Sequence, residues 1–113
     1  MKILCSTPKS KARCIYKLSF PDGSFYIGST GNFRQRLSGY KSSFKNSIGS
    51  VNKLIAAKVA LFDTASFEKM YVLKESESLR EIEDIYIKAS IGNPLFLNRS
   101  TSAFSNSGMI KAR

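Results

Sequence analysis

Between Cys14 and Tyr40 the chain reads CIYKLSFPDGSFYIGSTGNFRQRLSGY, and this stretch leaves few folds open. Residues 13–20 and 24–29 alternate in polarity as half-buried strands do. Pro21-Asp22-Gly23 joins them: Pro holds φ, and Gly tolerates the positive φ that closes a hairpin with a bulge. Thr30 or Asn32 then caps a helix running to about Phe44, with Phe33, Leu37, Tyr40 and Phe44 on one face. Gly39 weakens that helix by ~1 kcal/mol relative to Ala, which suits a close approach of backbone or ligand. Arg36 and Tyr40 are one turn apart and therefore neighbours. A hairpin feeding such a helix lets Tyr16, Tyr26, Arg36 and Tyr40 converge at one end of the sheet.

The remaining elements are read in the same way. Residues 1–12 form an irregular arm or a short edge strand. Lys45 to Ser50 is a basic loop, and Ser50 caps a second helix, Val51 to Phe62, whose apolar side is Val51, Leu54, Ile55, Val59 and Phe62. Ser66 to Leu73 reads as a third strand. Ser78 and Glu81 have capping-box spacing, opening a third helix with Leu79, Ile82, Ile85, Tyr86 and Ala89 toward the core and Gly92-Asn93-Pro94 as its stop. Leu95 to Asn98 is extended, and 99–113 is Ser-rich and expected to be mobile. The order β-β-α-α-β-α predicts an α+β domain over 1–98: a small antiparallel three-stranded sheet flanked by about three helices.

Composition narrows the function. At 113 residues, one core buries roughly two-thirds of the unfolded surface, so no staple is required. The chain has no His, which removes Ser-His-Asp and Cys-His catalysis and the usual zinc sites. Cys5 and Cys14 lie at no metal-ligand spacing and suggest a reducing compartment. No apolar run reaches the ~18 residues of a membrane span, and Met1 to Cys5 is too short for a signal peptide, so a soluble, intracellular protein is expected. Residues 1–58 hold eleven Lys or Arg against one acid, Asp22, a net of +10, whereas 59–113 are neutral. Such asymmetry favours a polyanionic partner on the surface built by the first half. Arg34, Lys41, Lys45 and Lys53 are the candidate contacts for such a partner.

Glu83 lies four residues after Leu79 and three before Tyr86, at the edge of the third helix's apolar stripe. A half-buried carboxylate there is costly unless a positive group meets it. A Mg²⁺ or Mn²⁺ ion, a hard cation that keeps several waters, meets that need with one carboxylate; a pair with Arg80 or simple exposure is the plain alternative.

These residues, in this order, resemble the GIY-YIG nucleases, among them phage and mobile-element homing endonucleases and an excision-repair nuclease domain. Tyr26-Ile27-Gly28 stands as the second motif, followed by Ser29-Thr30, and Cys14-Ile15-Tyr16 as the first, with Cys where Gly is usual. Arg36, Tyr40, Glu83 (opening Glu-Asp-Ile-Tyr-Ile) and Asn98 (closing Leu-Phe-Leu-Asn) complete the pattern. The resemblance implies metal-dependent hydrolysis of DNA phosphodiesters. In it Tyr16 or Tyr40 takes a proton from the attacking water, Tyr26 helps position water and phosphate, and Arg36 clamps the phosphate. Glu83 holds the single divalent ion, and Asn98 orients a neighbour or a phosphate. It also implies specificity supplied by a separate DNA-binding domain, and a second protomer or a second encounter where both strands are cut. The competing readings are a non-catalytic nucleic-acid-binding module of the same fold and a polybasic interaction protein without enzymology.

Overall fold

The structure is a computed structural model that describes residues 2–46 and 53–98. The hairpin forms as expected, with β2 (Cys14–Ser19) antiparallel to β3 (Phe25–Thr30) and Tyr16 paired with Gly28. At its turn Gly23 has φ +89° and its amide donates to the Phe20 carbonyl at 2.9 Å. The Asp22 carboxylate pairs with Lys58 at 2.6 Å and accepts from the Ser24 amide at 2.9 Å, and these partners, Lys58 foremost, hold it well below the usual carboxylate range.

β4 (Thr64–Val72) lies antiparallel on the other side of β2. The expected three-stranded antiparallel sheet gains a fourth strand: β1 (Lys2–Leu4) runs parallel to β4, giving the order β1-β4-β2-β3. Three residues are too few to show a period of two, so the arm's edge-strand reading becomes definite only through its partner. The arm continues along β4: the Ser6 amide and hydroxyl both donate to the Glu68 carboxylate, at 2.9 and 2.6 Å.

Alternation divides the sheet into two faces. Cys14, Tyr16 and Leu18 of β2 join Phe67 of β4 under α1 (Phe33–Asn46) and α2 (Lys53–Leu61). Asn32 is the cap of α1, its side-chain oxygen accepting from the Gln35 amide at 3.1 Å, while Thr30 supports the Asn32 amide. Phe33, Leu37, Tyr40 and Phe44 are buried as expected, and Phe33 stacks on Phe67 at 4.7 Å. Gly39 faces open space, with nothing within 4 Å of where a Cβ would stand, so no close approach within the chain accounts for it.

In α2 the expected apolar side is only partly right. Ile55, Val59 and Phe62 pack inward, but Leu54 is 45% exposed. This segment is apolar nearly all round, so its pattern selects no single stripe. Ser50 and Val51 of the expected second helix, and the loop residues after 46, lie outside the described residues.

The opposite face holds Ile15, Phe25, Ile27 and Leu73 under α3 (Leu79–Ser90). Ser78 caps this helix, accepting from the Glu81 amide at 3.3 Å. Its buried face is rotated from the expected one: Leu79, Ile82 and Tyr86 pack as foreseen, but Ile87 is buried while Ile85 is 61% exposed and Ala89 is exposed. Isoleucines at 82, 85 and 87 surround more than half the helix, so the pattern left the angle open, and contact with β3 selects it. Glu83 consequently sits at the middle of the sheet-facing surface rather than at its edge.

Gly92, at φ +93°, ends α3, and the chain returns along the outer edge of β3. The Phe25 amide donates to the Leu95 carbonyl and the Leu97 amide donates to the Phe25 carbonyl, at 2.9 and 2.7 Å. The expected tail, 99–113, lies outside the described residues. No helix among the described residues is long and apolar enough to cross a membrane.

Candidate active site

The register of the hairpin places the first phenol. Tyr16 lies directly across from Gly28, and its ring crosses the strand there. A Cβ on residue 28 would stand 2.5 Å from Tyr16 Cζ and closer still to its hydroxyl, so only glycine fits beneath the ring. The Tyr16 and Tyr40 hydroxyls are 3.0 Å apart in a buried hydrogen bond, and their rings meet edge-on. Arg36 comes in from the solvent side of α1: Nη1 donates to the Tyr16 hydroxyl at 3.4 Å, with the guanidinium carbon 5.8 Å from the ring centroid. Tyr26 projects from β3 on the same face, its ring 6.4 Å from that of Tyr16, and is half-buried.

Glu83 approaches from the other face. Ser29, the residue of β3 that alternation turns toward α3, donates its hydroxyl to Glu83 Oε1 at 2.6 Å. Asn98 closes the edge of the strand: its Oδ1 accepts from the Ile27 amide at 2.9 Å and its Nδ2 donates to the Ile27 carbonyl at 2.7 Å. The carboxamide thus stands where the next peptide group of a pairing strand would be. β3 carries Tyr26 and Gly28 on one face, Ser29 on the other and Asn98 along its margin.

Burial governs the electrostatics. Tyr16 is pushed well above the usual phenol value by desolvation, then by the charges of Tyr40 and Tyr26 and the Tyr40 hydrogen bond, with Arg36 opposing. Tyr26 is pushed up to about 12, first by burial and then by Tyr40 and Glu83, again with Arg36 opposing. Burial also raises Tyr40, against its hydrogen bonds to Tyr16 and Arg36. All three phenols are therefore neutral at physiological pH. Glu83 influences Tyr26 from the opposite face, so the two lie within electrostatic reach around β3.

Cys14 packs in the core beneath α1, and burial pushes its thiol up to about 11. Arg34, Lys41, Lys45 and Lys53 are all exposed, but the three on α1 do not gather around Arg36. At roughly 100° per residue, Arg34, Lys41 and Lys45 share one flank of α1, about 140–180° around from Arg36. In the sequence Ser29 is only the residue after Tyr26-Ile27-Gly28, and its alternation parity is the one sign there that it faces α3.

No family model, curated protein or solved structure matches this chain.

Among the described residues no three His, Cys, Asp or Glu side chains group as a metal-binding set. The donor set at β3 is one carboxylate held by a hydroxyl. That suits a hard cation retaining most of its waters, and does not suit zinc. Asp84, next along α3, is paired with Lys88 at 2.9 Å.

Proposed function

We propose that this protein is a metal-dependent endonuclease that hydrolyses DNA phosphodiesters inside the cell, in the manner of the nucleases its motifs resemble. The observation that carries the reading is the gathering of Tyr16, Tyr26, Tyr40 and Arg36 on one face of β3 while Ser29 holds Glu83 on the other. Residues far apart in sequence meet at one strand, with a cation and phenolic hydroxyls on one face and a carboxylate on the other.

In this mechanism Arg36 grips phosphate oxygens and offsets the charge that gathers on them as water attacks. Tyr16 and Tyr40 act as one unit: as one neutral hydroxyl takes the attacking water's proton, it passes its own along their 3.0 Å hydrogen bond, and the second hydroxyl gives up a proton to solvent. Tyr26 orients water or phosphate, and the 3′ oxygen leaves with the electron pair of the broken P–O bond. Glu83 would hold Mg²⁺ or Mn²⁺, and the bound ion would supply Lewis-acid charge at the phosphate. Asn98 acts through the backbone of Ile27 as a positioning residue. Sequence specificity, on this reading, comes from a further DNA-binding domain, and cutting both strands takes a second protomer or a second encounter.

The upward push on all three phenols favours a second reading, a module that binds nucleic acid without cutting it. Conversion of supercoiled plasmid decides between them, with wild type compared with Glu83→Gln and Arg36→Ala at several Mg²⁺ and Mn²⁺ concentrations. Expected is metal-dependent nicking that falls at least 100-fold in each variant, the scale of losing one charge-stabilising group, while Glu83→Gln still binds DNA. Binding without cleavage in wild type supports the binding module, and equal activity in Glu83→Gln overturns the site.

A further inference from the structure

Lys9 and Lys11 lie in the arm between β1 and β2, and both are exposed. One contact holds this arm to the start of α1 and another holds it to β4 beside that helix. The Phe33 amide donates to the Ala12 carbonyl at 3.0 Å, and Lys69, 5.6 Å from the centroid of the Phe33 ring, donates to the Ser10 hydroxyl at 2.9 Å. In the sheet β3 and β4 lie on either side of β2. Phe33 at the start of α1 stacks on Phe67 of β4 at 4.7 Å, while Arg36 reaches from the flank of α1 toward Tyr16 of β2. The flank carrying Arg34, Lys41 and Lys45 is therefore turned toward β4, along which the arm runs.

We propose that Lys9 and Lys11 of the arm, together with Arg34, Lys41 and Lys45 of α1, form a single phosphate-binding surface for double-stranded DNA, separate from the Arg36 cluster. The inference rests on the reading of DNA as the partner, but not on catalysis. Neither the arm nor α1 contains an acid. The Lys58–Asp22 and Lys88–Asp84 ion pairs take nothing from this surface. Glu68, the acid on the adjoining part of β4, is engaged by Ser6. From Arg34 to Lys45 is about 16 Å along the helix axis, a length over which one strand of B-DNA carries about five phosphates. The large exposed apolar side chains of the described residues (Leu4, Leu54, Leu61, Met70, Val72, Ile85, Ile91 and Leu95) all lie outside residues 5–46, so this surface has nothing to insert into a bilayer.

The test is fluorescence anisotropy of a labelled 25-base-pair duplex across a NaCl series, with the full chain. Five contacts correspond to a roughly 500-fold loss of affinity between 50 and 200 mM salt. Lys9→Ala/Lys11→Ala should reduce the slope of log K against log salt by about two, and Arg34→Ala/Lys41→Ala/Lys45→Ala by about three, for unrelated duplexes alike. Circular dichroism monitors folding, and Lys→Arg replacements at the four lysines should restore the slope. Unchanged affinity and slope in both variants overturn the proposal, as does tighter binding to vesicles containing 30% phosphatidylserine than to the duplex. Loss of DNA binding in these variants of a protein that never nicks plasmid sustains this surface and sinks the nuclease reading. Nicking by a protein whose salt slope ignores these five residues does the reverse.

Discussion

Glycine at position 28 is a packing requirement of a single phenol. Gly28→Ala puts a methyl group into the Tyr16 ring, and overpacking of this kind costs about 1–3 kcal/mol. Urea unfolding should show that loss, and replacing Tyr16 by Leu in the Gly28→Ala background should recover much of it by removing the ring. If Gly28→Ala is as stable as wild type, the ring does not lie over β3. A different residue-scale outcome concerns the two thiols. Cys14 is buried with its thiol raised to about 11, whereas Cys5 is half-buried in the arm. An aromatic disulfide reagent at pH 8 should therefore label Cys5 first and reach Cys14 only on unfolding, which mass spectrometry of the labelled peptides checks. The nearness of Arg36 to Tyr40 was readable from helical spacing alone. The Ser29–Glu83 hydrogen bond was not, since fifty-four positions separate the two residues and only tertiary packing joins them.

At the scale of elements, the hairpin and α1 were legible because their periods are local: alternation, a Pro-Asp-Gly turn, and apolar residues at 33, 37, 40 and 44. β1 was only half legible, since a parallel pairing to a strand sixty residues away leaves no mark on three residues. α3 shows a third situation, in which the helix was plain but its angle was not. Ile87→Ala should cost about 2–5 kcal/mol, and Ile85→Ala, at 61% exposure, far less. Comparable losses at the two positions in denaturant unfolding would mean the helix lies at the angle its sequence pattern first suggests. That angle also bears on the site, because it turns Glu83 toward β3.

For the molecule as a whole, the three raised phenols couple stability to alkaline pH. An unfolded tyrosine loses its proton near pH 10, while Tyr26 keeps its own to about 12. The stabilisation is complete below pH 10 and is lost as pH rises through the folded value, so unfolding should become easier between about pH 10 and 12. Tyrosinate absorbance near 295 nm should rise together with loss of helical circular dichroism; ionisation of all five tyrosines near pH 10 with the fold intact would contradict the buried cluster. The charge asymmetry was legible from the first, but its division between two flanks of one helix required the arm to be seen against β4. The return of residues 95–98 along β3 has its own consequence at this scale. Those residues and the Asn98 carboxamide satisfy amides and carbonyls of Phe25 and Ile27 that would otherwise face outward as a template for another chain. A chain cut after Pro94 would bare the outward amides and carbonyls of Phe25 and Ile27 on β3, and its failure would be one of solubility before it was one of chemistry: self-association through β3 into oligomers or precipitate.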